Sequence, residues 1–131
     1  MPAQTQSPIF AKSHDLLMWL LQHTAKFPKS ERFRMAKRVE DSAFGFYDLI
    51  ARATKARDKR RTLLEADLEL DRLRLNVRLC VELKLLTPAQ YEHAAGILVE
   101  IGKLLGGWIK TVPADSQQPE RLRKSLETSE A

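Results

Sequence analysis

The sequence predicts an all-α protein that folds as an antiparallel up-down four-helix bundle, and three observations support this. Prolines punctuate the chain at a few positions, namely Pro8, Pro28, Pro88 and Pro113. Between them, apolar residues recur every three or four positions, which is typical of helices with one buried face. Leu, Ala, Glu, Lys and Arg, which favour helices, dominate the 131 residues. This length suffices for one domain with its own core.

The first two prolines position the two N-terminal helices. The first helix follows Pro8 and covers residues 9–26, and Phe27-Pro28-Lys29 forms a turn. Ser30 is the expected N-cap of a second helix over residues 30–56, because a serine hydroxyl accepts from an otherwise free backbone N–H. The buried face of that helix is predicted to consist of Phe33, Ala36, Val39, Ala43, Phe46, Tyr47 and Ile50.

The third and fourth helices complete the predicted bundle domain over residues 9–112. Arg57-Asp58-Lys59 is the expected connection to a third helix over residues 60–85. Thr87-Pro88-Ala89-Gln90 starts the fourth, with Thr as the cap, Pro at the first helical position and Gln completing a capping box. We expect a flexible N-terminus over residues 1–8 and a flexible tail over residues 113–131. A short helix over residues 120–126 is an alternative for part of that tail.

One part of the third helix carries the signal of a β-strand. From Leu73 to Leu85, apolar residues alternate with mostly polar ones. A strand of that length would exceed the usual range of roughly three to ten residues. Leu, Arg, Glu and Lys also favour helix, so we interpret this segment as helical.

As a helix, this segment carries two apolar stripes on nearly opposite faces. The first stripe comprises Leu68, Leu75, Leu79, Leu83 and Leu86, and the second comprises Leu70, Leu73, Val77, Cys80 and Val81. A helix that is apolar on two faces is buried on two faces. The bundle would cover one face, and we predict that the second stripe is a subunit interface, formed by Leu70, Leu73, Val77 and Val81. The alternative is a helix that is central to its own core.

The positive charge of the chain is localised. The net charge is +5, and the segment from Lys29 to Arg61 alone holds eleven basic and five acidic residues. A local basic patch indicates a polyanionic partner, either nucleic acid or an anionic membrane. The alternative is a solvated face that aids solubility. The candidate binding residues at one end of the bundle are Arg52, Lys55, Arg57, Lys59, Arg60 and Arg61, and a second cluster near the start of the second helix holds Arg32, Arg34, Lys37 and Arg38.

The third helix adds a further basic group, Arg72, Arg74 and Arg78, at the border of the apolar stripes. Because binding of phosphates releases counterions, an interaction through these arginines is expected to depend strongly on salt. Nothing in the sequence is typical of base reading, so recognition through backbone and shape is expected. The alternative is that Asp71 pairs with Arg74 and Glu82 pairs with Arg78, which would leave little free charge.

Enzymatic or metal-binding patterns are not found in the sequence. His14, His23 and His93 are isolated from one another and from acidic partners at ligand spacing. Cys80 lies in an apolar stripe, where packing is its expected role. We therefore expect no catalysis, cofactor or metal. A single cysteine, and an apolar run at Leu16–Leu21 that is too short for a span, indicate a cytoplasmic protein without membrane association.

Glycines interrupt the fourth helix in an informative way. Gly102 and Gly106 lie four residues apart on one side of the helix, and each costs about 1 kcal/mol relative to Ala. We therefore predict that another helix approaches closely at this stripe.

Two sets of motifs resemble one superfamily of four-helix bundles. The segment from Phe27 to Phe33 resembles the turn into helix two of the wider group, which includes proteins encoded within intervening sequences of bacterial 23S ribosomal RNA, so this motif does not choose between branches. Leu73–Leu79 with its paired arginines, Thr87-Pro88, and Val99–Ile109 with its Gly-Gly-Trp-Ile ending resemble the accessory variability determinant (Avd) proteins of diversity-generating retroelements.

The Avd resemblance implies a homopentameric ring of four-helix bundles with a positively charged surface. Such proteins bind a reverse transcriptase and nucleic acid, chiefly template RNA, with DNA as a second candidate. They are required for mutagenic retrohoming, while the polymerase chemistry belongs to the partner. Arg74 and Arg78 match the helix-three arginines of the family, whereas the other basic clusters rest on local charge. The acidic-leaning tail departs from the basic C-terminal end expected of the family. The alternative function is an interaction protein of the intervening-sequence type, without a polymerase partner.

Overall fold

The computed structural model describes residues 7–113, and over that range the chain is all-helical, with four α-helices and no strand. The predicted flexibility of residues 1–6 and 114–131, and the alternative short helix over residues 120–126, lie outside the described residues. The helices are α1 (Pro8–Thr24), α2 (Lys37–Ala53), α3 (Lys59–Glu82) and α4 (Pro88–Thr111), and a 3-10 turn (Lys29–Glu31) and a π-helical turn (Arg32–Ala36) lead into α2.

The four helices pack in the order in which they follow one another. α1 packs on α2, α2 on α3, and α3 on α4, and α1 also packs on α4. Contacts join the end of α1 to the start of α2 (Thr24 to Glu40), and they join the start of α3 to the end of α4 (Arg60 to Val112). Asn76, late in α3, likewise contacts Arg38 at the start of α2, so consecutive helices run antiparallel in the up-down arrangement that the sequence predicts. The core between them contains Leu20, Ile50, Leu63, Leu70, Leu73 and Ile101, all with side chains at most 1% exposed.

The helix ends follow the local chemistry of the sequence. The capping box before α4 is confirmed, since the backbone N–H of Gln90 donates to Thr87 Oγ1 (3.1 Å) and that of Thr87 donates to Gln90 Oε1 (2.9 Å). α1 begins at Pro8, which occupies the first helical position after Ser7. α3 ends at Glu82 because Lys84 adopts a left-handed conformation (φ 62°), and Leu85 N–H then donates to Cys80 O (2.8 Å).

The start of α2 differs from the prediction. Ser30 makes no capping bond; it lies in the 3-10 turn, and the π-helical turn follows it. A π-turn holds more residues than an α-turn, so the spacing of the buried stripe does not extend back to Phe33. That side chain is 82% exposed, while Met35 and Ala36 are buried. The prediction that Phe33 belongs to the core is therefore wrong.

The two apolar stripes of α3 exist, but their roles are reversed. Leu70, Leu73 and Val77, predicted at a subunit interface, are each at most 1% exposed within a single chain and belong to its own core. With Leu63 and Ala66, these three residues form one face of α3 that carries no charged side chain. The bundle can therefore bury this face without removing an ion from water. Of the predicted interface only Val81 stays partly exposed. Of the other stripe, Leu68, Leu75 and Leu83 are exposed, and Leu64 extends that face, whereas Leu79 packs partly against the core and Leu86 is buried.

Candidate nucleic-acid interface

Each of the three α3 arginines forms an ion pair on its own helix. Arg72 Nη1 lies 2.7 Å from Glu69 Oε1, Arg74 Nη1 2.8 Å from Asp71 Oδ1, and Arg78 Nε 3.4 Å from Glu82 Oε2. This is the pairing that the sequence offered as the alternative to free charge. Exposed pairs of this kind contribute at most about 1 kcal/mol. A phosphate, which matches the planar fork of arginine, therefore competes readily with the carboxylate.

Arg74 has a second neighbour, on the adjacent helix. A Cβ added to Gly102 of α4 would collide with a terminal guanidinium nitrogen of Arg74, so the absence of a side chain there makes room for the arginine. Arg74 also lines a groove of about 170 Å³ between α3 and α4, together with Tyr91, Ala95, Leu98 and Val99. The guanidinium is thus held at a defined place on the surface, between Asp71 on its own helix and Gly102 on the next.

The glycine stripe of α4 is only partly explained by this contact. The predicted close approach of a second helix is not seen at Gly102, where the neighbour is the Arg74 side chain and Leu70 is more distant. At Gly106, a Cβ would meet nothing within 4 Å in the part of the chain that the structure describes. The same holds for Gly96 and Gly107. Gly102 is therefore the one glycine of α4 at which a side chain would disturb a described residue.

Two of the basic residues at the end of the bundle are engaged in holding the fold together. Lys59 Nζ donates to the carbonyl oxygens of Ala53 (2.9 Å) and Thr54 (3.2 Å), at the end of α2. Arg60 Nη1 donates to those of Ile109 (3.3 Å) and Val112 (2.9 Å), at the end of α4. Cations are favoured at helix C-termini, where the last carbonyl groups lack partners. Lys59 and Arg60 therefore hydrogen-bond the start of α3 to the C-terminal ends of α2 and α4.

The other four residues of this basic end remain available to solvent. Arg61 lies 3.8 Å from Glu65, with its side chain 78% exposed, so the pair is weak. Arg52, Lys55 and Arg57 form no ion pair within 4.0 Å among residues 7–113. The predicted cluster of six is therefore reduced to four candidate binding residues, which lie where α2 ends and α3 begins.

Cys80 is a buried, unreactive thiol. Burial raises its pKa from 9.0 to about 11, and the charge of nearby Glu31 adds to the shift. Within residues 7–113, no group of three or more His, Cys, Asp or Glu side chains is arranged to hold a metal ion. The structure therefore gives the thiol a packing role against the turn that precedes α2.

We expect native Cys80 to resist alkylation. A rise in pKa of two units lowers the thiolate fraction near pH 8 about a hundredfold, and burial slows attack further. Iodoacetamide at pH 8 should modify the denatured chain at least about a hundred times faster than the native protein, as followed by mass spectrometry. Because the folded-state pKa is the higher one, this thiol also favours the fold below pH 9, and that contribution is lost as the pH rises towards 11. Equal alkylation rates in native and denatured protein would contradict the buried position.

The fold and the surface define an up-down four-helix bundle protein that presents arginines from one central helix. The chain belongs to the bAvd-like family, which it matches over residues 8–112. This range spans all four helices, and it confirms the resemblance to accessory variability determinant proteins that the motifs of α3 and α4 indicate. Comparison with curated proteins gave no match. Across the described residues, no helix combines the length and the apolar character needed to cross a membrane.

Proposed function

We propose that this protein is a non-enzymatic accessory subunit of a diversity-generating retroelement. In this proposal it binds the reverse transcriptase and the template RNA of the element in the cytoplasm, and it supports mutagenic retrohoming. Membership of the bAvd-like family supports the class of protein. The observation that carries the nucleic-acid function is the position of Arg74, held over Gly102 at the edge of a groove, with Arg78 one turn further along α3.

Exchange of ion-pair partners explains how such a surface would bind RNA. In the free protein, Asp71 and Glu82 neutralise Arg74 and Arg78. An RNA phosphate would replace each carboxylate and accept the same kind of charge-assisted, bidentate contact from the guanidinium. Contacts of this kind position a backbone without reading bases, so selection of the template RNA would rest on its shape and on the polymerase.

Reconstitution with the two partners tests the proposed function directly. The full chain would be purified with the reverse transcriptase and template RNA encoded beside it, and complex formation would be followed by size-exclusion chromatography. We expect a complex of all three components that loses RNA as the salt concentration rises. A protein that binds neither partner at low salt would contradict the proposal and would favour an interaction protein of the intervening-sequence type.

We further propose that the copies assemble into a homopentameric ring through the exposed stripe of α3. Leu64, Leu68 and Leu75 lie within about 40° of one another around the helix, and each is between 45% and 62% exposed. Apolar side chains of this size are normally covered. A face that meets a different surface on the next copy gives a head-to-tail contact, which closes into a ring.

Replacing Leu68 and Leu75 together by Glu is expected to dissociate the ring into folded monomers. Each Glu would place a charge in the apolar contact, while the core of the protomer stays unchanged because both side chains point away from it. Light scattering coupled to size exclusion should show a mass near five chains for the wild type and near one chain for the variant. Met18→Glu, at a 46% exposed position on α1, is the matched control. If the ring survives the double substitution but dissociates in Met18→Glu, the interface lies on α1 and not on the exposed stripe of α3.

A further inference from the structure

Phe33 is the most exposed large apolar side chain among the described residues, at 82%. Its placement is fixed by the chain around it, because the 3-10 turn and the π-helical turn leave Phe33 outside while Met35 and Ala36 point inward. π-Helical turns are rare and frequently lie at functional sites. The local backbone thus presents an aromatic ring to solvent where a regular helix would have buried one.

The surroundings of this ring are cationic. Between Lys29 and Asp41 the sequence holds five basic and three acidic residues. One of the acids is turned inward, since the Glu31 side chain is only 14% exposed and acts on the buried thiol of Cys80. The other two acids are engaged, because Glu40 accepts from Thr24 Oγ1 (2.6 Å) and Asp41 lies 2.6 Å from Lys37 Nζ.

Several of these cations are free to meet a ligand. Lys29, Arg32 and Arg38 form no ion pair within 4.0 Å in the described range, 7–113. Arg34 has a 66% exposed side chain and a single contact of 3.3 Å to Glu31. Arg32 lines a groove of about 280 Å³ beside the end of α1, which it shares with Glu40.

We propose that Phe33, with Arg32 and Arg34 on either side, is a stacking site for an unpaired base of a single-stranded nucleic acid. Proteins that bind single strands combine an exposed aromatic ring, on which a base stacks, with basic side chains that follow the backbone. A protein partner would require a larger apolar surface around the ring, whereas the residues on both sides of Phe33 are charged. This inference rests on the proposed RNA-binding function and adds single-stranded RNA as the ligand class at this turn.

The start of α2 packs on the face of α3 that lies nearly opposite its two arginines. Asn76, which lies between Arg74 and Arg78 in the sequence, donates to the carbonyl oxygen of Arg38 (3.2 Å) and to Ser42 Oγ (3.1 Å). Two residues along a helix turn the side-chain direction by about 200°, so Arg74 and Arg78 face away from this contact. Base stacking at Phe33 would therefore act separately from the phosphate contacts on α3.

Comparison of two RNA probes tests the stacking site. The full chain and its Phe33→Ala variant would be titrated by fluorescence anisotropy against a labelled 20-nucleotide oligouridine and against a duplex RNA of the same length. Loss of one stacked base is worth about a fivefold to hundredfold loss of affinity. We expect this loss for the single strand alone, with duplex binding unchanged. Phe33→Trp should retain wild-type affinity, because it keeps an aromatic surface.

Controls separate the failure of this inference from that of the proposed function. Phe44→Ala removes another exposed phenylalanine, 45% exposed on α2, and should leave both affinities unchanged. Unchanged single-strand affinity in Phe33→Ala would overturn the stacking site alone, whereas a wild-type protein that binds neither probe would overturn the RNA function as well. Loss of the reverse transcriptase with intact RNA binding would instead assign Phe33 to a protein contact and overturn the inference.

Discussion

Reversing the charge of both Arg74 and Arg78 to Glu is expected to lower the affinity for template RNA at least about a hundredfold at low salt. A hydrogen bond between arginine and phosphate is worth about 1.5–3 kcal/mol, so the loss of two exceeds a factor of a hundred. The new carboxylates would also lie beside Asp71 and Glu82, which now pair with the arginines. That end of α3 would then repel the RNA backbone.

The salt dependence of binding measures how many contacts to RNA phosphates the double variant has lost. Each neutralised phosphate contributes about 0.7–0.9 to the slope of log affinity against log salt concentration. The double variant should therefore show a slope shallower by about 1.4–1.8 per protomer bound to RNA. Anisotropy titrations with labelled template RNA between about 50 and 200 mM salt would measure it.

A control of equal charge separates the site from the net charge. Lys12→Glu with Lys26→Glu also removes two cations and adds two anions, but on the α1 side of the bundle. We expect it to lower affinity only weakly, because charges away from the contact are screened within about 10 Å at 0.1 M salt. If both double variants bind equally well, with unchanged circular dichroism, the assignment of Arg74 and Arg78 to the interface is wrong.

The helices could be predicted because their signals are local. Pro8, the Thr87/Gln90 capping box and the three-four spacing of apolar residues all act within one or two turns. The alternating segment that begins at Leu73 is helical as far as Glu82, as its residue types predict, whereas Leu83 and Leu85 lie beyond the end of the helix. The π-helical turn at Arg32–Ala36 has no comparable sequence signal, which is why the orientation of Phe33 was predicted wrongly.

The direction in which α3 faces could not be predicted from the residues between Leu68 and Leu86 alone. A helical wheel begun at Leu68 finds two stripes but omits Leu63 and Ala66, which lie one and two turns into the helix and extend the charge-free run. That longer run, and not the count of leucines, decides which face the other helices cover. The exposed stripe is interrupted by Asp71, whose burial without a partner would be costly.

Only part of the candidate site could be predicted from the sequence, because some of its residues make contacts with distant parts of the chain. Charge counting identified the basic end of the bundle, but it gave Lys59 and Arg60 the same role as Arg57. Their contacts reach the ends of α2 and α4, and the second of these is about fifty residues away in the chain. Such contacts depend on tertiary structure. The neighbour of Gly102 also lies far away in the sequence, so the prediction of a close approach was right in kind, but the partner is the Arg74 side chain and not the backbone of a helix.

Substituting Gly102 by Ala is expected to affect RNA binding in a way that Gly106→Ala does not. At Gly106 the added methyl group meets no described atom within 4 Å, so the helix gains about 1 kcal/mol from the loss of glycine flexibility. At Gly102 the methyl group displaces the guanidinium of Arg74, and this costs little stability because the guanidinium is the far end of a flexible side chain. The displaced arginine should also bind phosphate less well, by about 1 kcal/mol or roughly fivefold in affinity. Thermal unfolding and RNA titration would measure both effects.

A double-mutant cycle with Arg74→Ala distinguishes this contact from a general effect of alanine in α4. Once the arginine side chain is removed, the collision is gone, and the contact with Leu70 at 3.9 Å is an ordinary one. Gly102→Ala should then raise stability about as much as Gly106→Ala and leave the residual RNA affinity unchanged. The coupling between the two positions should be about 1 kcal/mol in RNA affinity and small in stability. A coupling near zero in RNA affinity would mean that Arg74 binds RNA without the space that Gly102 leaves for it, because the two substitutions would then act through separate parts of the surface.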